Sequence, residues 1–230
     1  MRATSWRASF WRATRPRGGG RRSSRWRAVL ASALLLAPAG ACLSLPSGQQ
    51  KPPELYSLQA PTAFPGLAAE RRPWTLVVDD PSAGSGLDTD QIAVRETPLR
   101  LRYYADARWA EPAPQMVGKL IVGAFDNADR LAGVGQSSVS LNPKYRLHTR
   151  LAGFEAVYPD GAEVPEARVK LDATLTRELG QQVVGTQSFE ASRKAASPAL
   201  PDVVAAYDQA LAAVLRDLVA WTLQTPPQTS

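Results

Sequence analysis

Apolar positions recur with two different periods along this chain, and together they predict a mixture of strands and helices. Tyr56–Leu58 and Trp74–Asp80 read as strands, separated by a Pro- and Gly-containing loop around 61–66. Pro81–Asp90 (PSAGSGLDTD) has loop chemistry. Ile92–Glu96 reads as a short strand, Pro98 interrupts it, and Leu99–Tyr104 resumes the alternation. Pro112 and Pro114 suit a helix start. Val117, Leu120, Ile121, Ala124 and Ala128 then recur at helical spacing. That helix is expected to end near Asp126–Asp129, with Leu131–Gly135 as a turn.

The next stretch, Tyr145–Tyr158, reads as one long strand. Tyr145, Leu147, Thr149 and Leu151 share a face, whereas Phe154, Ala156 and Tyr158 have the opposite parity. A bulge at Ala152–Gly153 would return the apolar side to the core. Pro159-Asp160-Gly161 is a turn, and Val169, Leu171, Ala173 and Leu175 alternate with polar residues after it. A second turn at Gly180 leads to a strand over Val183–Ala191, so these three strands read as an antiparallel meander. Val204, Tyr207, Leu211, Val214, Leu215, Leu218 and Trp221 trace one stripe of a C-terminal helix. The order β-β-β-β-α-β-β-β-α implies an α+β fold: a largely antiparallel sheet with two helices packed on it.

Charge changes the picture at the N-terminus. The 230 residues carry a net charge of +6, yet residues 1–41 hold nine Arg and no acid. From Cys42 onward 18 basic residues face 21 acidic ones, a net of −3. A basic footprint on the folded part, which nucleic-acid binding needs, is therefore missing. The Arg-rich stretch leads into an apolar run, VLASALLLA, too short to span a bilayer but right for the h-region of a signal peptide. Cys42, the chain's single cysteine, follows in the string A-G-A-C. Small residues before a cysteine at the end of an h-region resemble a bacterial lipobox, and that resemblance implies cleavage before Cys42 and its lipidation. The expected organisation is a signal peptide over 1–41 and a lipidated cysteine with a flexible tether over 42–53. A folded domain over 54–224 and a polar tail over 225–230 complete it. Leu43 rather than Asp follows the cysteine, which by analogy with enterobacterial lipoproteins points to the outer membrane, facing the periplasm; the inner membrane is the alternative.

Candidate chemistry is sparse. His148 is the single imidazole, flanked on its face by Arg146 and Arg150, and reads as a solvated side chain. Asp79–Asp90 holds four carboxylates, but their spacing fits a calcium loop poorly, so a solvated turn is expected. No cofactor, metal site or catalytic residue is expected. RYYADARW (Arg102–Trp109) is dense in the residue types that dominate binding hot spots. Core packing alone explains such aromatics more often than a contact surface does. Tyr103 and Tyr104 must point to opposite faces, so one is expected in the core and the other, with Trp109, on a contact surface. Tyr103, Tyr104, Arg108 and Trp109 are the candidates for a partner-binding face. On that reading Trp109→Ala would weaken partner capture and leave thermal stability intact.

Several strings, in order, resemble the ABC-type transport auxiliary lipoprotein family, of the paraquat-inducible protein C kind. They are YSL-x-AP after the lipobox cysteine, W-x-L-x-VDDP-x-A, LDTDQIAVR, YYADARWAEPAP before an amphipathic helix, F-x-A-x-Y, and a terminal AYDQAL…LVAW helix. The resemblance spans about Cys42 to Leu223. It implies a non-enzymatic envelope lipoprotein, membrane-bound through its lipid anchor. Such a protein works with an ABC permease, an ATPase and a substrate-binding protein carrying a mammalian-cell-entry (MCE) domain. These systems move lipids between membranes, and this chain would dock the periplasmic component. Only Cys42 carries over as a functional position. A lipoprotein that carries lipid or another small molecule itself is the alternative, and a homo-oligomer stays open.

Overall fold

The structure, a computed structural model, describes residues 52–137 and 142–225. The expected signal peptide, Cys42 and most of the tether lie outside the described residues. Nine strands and two helices follow in the order β1 (Glu54–Tyr56), β2 (Arg72–Val78), β3 (Ser82–Ala83), β4 (Gln91–Thr97), β5 (Arg100–Trp109), α1 (Ala113–Ala128), β6 (Leu131–Gln136), β7 (Tyr145–Val157), β8 (Glu166–Arg177), β9 (Gln182–Lys194) and α2 (Leu200–Gln224).

The α+β class holds, with two helices on one sheet, but the sheet is mixed rather than largely antiparallel. β7 organises it. One edge of β7 pairs along its length with β8, and β8 pairs with β9, giving the expected antiparallel meander. The other edge receives three strands in succession, all parallel to it: β2 at Tyr145–Leu147, β3 at Arg150–Leu151 and β4 at Ala156–Val157. β6 then joins β2 in parallel, β5 joins β4 antiparallel, and β1 joins β5 in parallel. β6 occupies the segment expected to be a turn; two glycines hid a strand whose partner lies far away in sequence.

The bulge in β7 falls where the parity switch requires it. Leu151 faces Leu171, and the next rung joins Gly153 to Lys170. A Cβ on Gly153 would come within 3.2 Å of the Lys170 Cβ, so the residue there is small for a reason. Leu147, Leu151, Phe154 and Ala156 are all buried in consequence.

α1 begins at its prolines and ends at Asp129, whose left-handed φ of 47° lets its amide reach the carbonyls of Phe125 and Asp126. Gly118 allows α1 to press on the loop after β2: a Cβ there would sit 2.8 Å from the Pro81 ring. In α2, Asp202 lies in the first turn, favourable to the helix dipole. α2 covers β8 and β9, while α1 packs on β6 and β2 and touches α2. Between helices and sheet lies one continuous cluster of buried side chains, mostly aliphatic, with a group of rings inside it. Trp109, Phe154 and Tyr207 stand with centroids 5.0–5.4 Å apart. The buried Tyr207 hydroxyl donates to the Ala93 carbonyl at 2.8 Å.

Candidate functional site

The aromatic segment on β5 is shaped by an irregular pairing with β4. Gln91 faces Arg108, but two residues on, Ala93 faces Tyr103. The surplus on β5 is thrown outward around Asp106, which adopts φ 55° without being glycine. This bulge separates the four candidate residues. Tyr103 donates its hydroxyl to the Gly86 carbonyl at 3.2 Å. The Tyr104 hydroxyl is enclosed, and burial, then the neighbouring Tyr158 phenol, push its pKa up. Both line a surface cleft of about 520 Å³ together with Val94, Arg102 and Tyr158. Arg108 turns away and binds both oxygens of Asp90, at 2.9 and 3.1 Å. Trp109 is 1% exposed, and this corrects its expected place on a contact surface. The bulge reverses its facing and drives the indole against Phe154 and Tyr207.

A second cleft, of about 570 Å³, lies on the other flank of the β4–β5 hairpin, lined by Arg95, Thr97, Pro98, Val157, Tyr158 and Arg168 among others. Arg95, one of its lining residues, belongs to a pair the sequence reading missed. Arg95 Nε donates to the Glu155 carboxylate at 2.9 Å, and that carboxylate is nearly closed off from water. The available signal was a lone acid inside the F-x-A-x-Y string. Further along the same open face of the sheet, Arg146 joins Asp79 at 2.7 Å and Glu178 at 3.0 Å. Glu178, then Asp79, hold the guanidinium above its ordinary pKa, and Arg146 draws Glu178 below the usual carboxylate range.

The acids of the Asp79–Asp90 loop serve separate partners. Asp79 serves Arg146 and His148, Asp80 accepts from Gln136, and Asp90 serves Arg108. Three of the loop's four carboxylates thus hold structural partners while the loop stays partly exposed, in keeping with the expected solvated turn.

With this geometry in place, the comparison with known proteins is decisive. The profile of the family described as ABC-type transport auxiliary lipoprotein component matches residues 56–219. The chain belongs to this family. Protein XCC0632 from Xanthomonas campestris, a solved structure, is 34% identical with a TM-score of 0.69, over 74% of this chain and 95% of that one. The crystal structure of an uncharacterized protein shares the fold at 14% identity and a TM-score of 0.59, over 75% of this chain and 99% of that one. Uncharacterized protein bll6063 of Bradyrhizobium diazoefficiens is 28% identical over 179 residues, covering 73% of this chain. The chain spans less than half, 44%, of that curated relative.

Family membership implies a non-catalytic component of transport, anchored to a membrane on its periplasmic side. No helix among the described residues is long and apolar enough to cross a membrane. One arrangement invites an enzymatic reading. His148 Nδ1 lies 2.7 Å from Asp79, and Nε2 lies 3.2 Å from the Thr176 hydroxyl. However, Thr176 is buried, and its hydroxyl donates to the Arg146 carbonyl at 3.3 Å. Asp79 is shared with Arg146 as well. The row acts as a clamp between β7, β8 and the end of β2, not as an exposed nucleophile with its base.

Proposed function

We propose that this chain is the membrane-anchored auxiliary lipoprotein of an ABC/MCE-type system that moves phospholipid between membranes. In it, Cys42 is the acylated residue, and the folded body docks the periplasmic substrate-binding protein beside the outer membrane. The observation that carries the reading is the family match over residues 56–219, which reaches from the end of β1 into α2. The cleft lined by the half-buried Tyr103 and Tyr104 is the candidate contact surface, since tyrosine is a residue type that suits interface hot spots. Trp109 supports it from beneath and does not touch the partner.

The test is co-expression of the full chain with an MCE-domain substrate-binding protein from the same genome, followed by affinity capture. A photo-crosslinking residue at Tyr103 should trap that protein. Absence of both complex and crosslink, with the lipoprotein folded and membrane-bound, would overturn the docking role. Labelled palmitate should enter the wild-type chain and not Cys42→Ser, and globomycin should block maturation. The alternative, a lipoprotein that carries cargo itself, is disfavoured because a continuous cluster of buried apolar side chains occupies the space between helices and sheet where a cargo would lie. Lipid retained in native mass spectra would favour it.

A further inference from the structure

We propose that the outer edge of β5, from Arg100 to Ala105, is a strand-addition site: an extended, acidic segment of the periplasmic partner pairs with it and sets an apolar side chain in the cleft between Tyr104 and Tyr158. The proposal rests on the docking reading and names the edge and the chemistry that docking uses.

The edge is open because two breaks in pairing coincide. On one side β5 meets β4, with Tyr103 opposite Ala93, Arg102 opposite Val94 and Leu101 opposite Arg95. On the other side β1 covers only Ala107–Trp109. One step further in that register Pro53 would face Asp106. Pro53, like Pro52 before it, has no N–H to donate. Asp106 holds a left-handed backbone with φ 55°. β1 therefore stops at Glu54, and among the described residues no strand pairs with Arg100–Ala105 on that side. The open stretch has the usual length of a strand, about six residues. Its unpaired backbone groups are a template for another extended chain.

The side chains beside the edge select the occupant. Arg100, Arg102 and Tyr104 alternate along β5, so they share the face that carries Val94 and Glu96. Val94, Tyr104, Tyr158 and Ala162 line the cleft of about 520 Å³ on this face. Arg100 and Arg102 have side chains 61% and 59% exposed, and both lean on the single carboxylate of Glu96, at 3.8 and 3.3 Å. Two guanidinium groups against one carboxylate leave positive charge at this edge, although the chain from Cys42 onward carries a net −3. An added strand presents every second residue to this face. Its acids would stand across from Arg100 and Arg102, and an apolar side chain further along would enter the cleft beside Tyr104. Asp106, exposed at the far end of the edge, repels the same acids in the reversed direction. The outer edge of β9 is the control. It is also unpaired among the described residues, over 13 residues, yet none of the clefts described above borders it.

The full lipidated chain would be compared by hydrogen exchange, free and captured with the MCE-domain substrate-binding protein. Expected is severalfold slower exchange at the outward-facing amides of 100–105 in the complex, with β9 unchanged. Reversing both charges, Arg100→Glu with Arg102→Glu, should weaken capture by about tenfold or more. Glu96→Gln, which frees both guanidinium groups, should tighten it severalfold. These side chains are exposed, so the variants should melt like the parent, and a purely structural role would not move capture in opposite directions. A complex without slowing at 100–105, with slowing along β9 instead, or indifferent to both variants, overturns strand addition and leaves docking standing. Slow exchange at 100–105 already in the free chain would mean that the chain itself or a second copy covers the edge, and would also overturn the proposal. Failure to form any complex overturns the docking reading, and strand addition with it.

Discussion

Along β8 successive residues live in two different environments. Ala167, Val169, Leu171, Ala173 and Leu175 are buried under α2. Between them Arg168, Lys170 and Asp172 stand on the open side and meet opposite charges on β9 and β7: Lys170 with Glu190 at 3.3 Å, Asp172 with Arg150 at 2.8 Å. The first side depends on shape, because closely packed volume has no substitute. The second depends on pairing in water, where exposed ion pairs contribute little each. Stability should therefore concentrate on the helix-covered side.

The largest test of that contrast is Trp109→Ala. The indole fills the centre of the ring cluster, so its removal should cost about 3–5 kcal/mol, read from urea or thermal unfolding. Its Nε1 has no hydrogen-bond partner. Trp109→Phe should therefore lose less, through volume alone. A loss below about 1 kcal/mol for the alanine variant would return Trp109 to the surface and end the contrast.

Arg95→Ala should follow, and it sharpens the contrast because the pair lies on the open side. Glu155 would keep a carboxylate largely shut off from water without its ion-pair partner, and with only the cross-strand Arg168 nearby. Breaking a fully buried pair costs about 3–5 kcal/mol. Arg95 is 29% exposed, so water screens part of this, and about 2 kcal/mol is expected. Adding Glu155→Gln should recover much of the loss in a double-mutant cycle. Burial, not the face of the sheet, would then be what sets the cost.

The two environments were unequally legible beforehand. The β7 bulge was visible because the apolar parity changes within a single strand at Gly153. The α2 stripe was visible because Val204 to Trp221 holds one period throughout. Parallel pairing was not, because alternation reports which faces are buried and is blind to strand direction. β6 was lost behind Gly133 and Gly135. Trp109 was misjudged because the reversal at Tyr104–Asp106 has no glycine to announce it, and aromatic composition is the same in a core as in an interface. The Asp79–Arg146–His148 clamp joins residues far apart in sequence, which only folding brings together. Leu99 read as an ordinary strand residue, yet it sits in the turn between β4 and β5, where it is 98% exposed.

Tyr207→Phe comes next in size. It removes one buried hydrogen bond and leaves the Ala93 carbonyl without it, for a loss of about 1 kcal/mol. It also alters the alkaline limb. Burial pushes the Tyr207 phenol well up, so the folded state holds a proton that the unfolded chain gives up above about pH 10. Stability from this group is complete below that pH and falls as pH rises past it. The phenylalanine variant should show a flatter decline in unfolding free energy between neutral and strongly alkaline pH.

The smallest effect belongs to the open side. Ser188, then Arg150, hold the Asp172 carboxyl below the usual range. A depressed folded pKa gives stability that is present above the unfolded carboxylate range and is lost as pH falls through the folded value. At pH 7 Asp172→Asn should therefore lose no more than about 1 kcal/mol, the range of exposed pairs. On acidification its unfolding curve should approach that of the parent, because the parent loses the same contribution by protonation. A gap between parent and variant that stayed constant down to strongly acidic pH would mean that shape, not charge, holds Asp172. The open side would then behave like the side under α2.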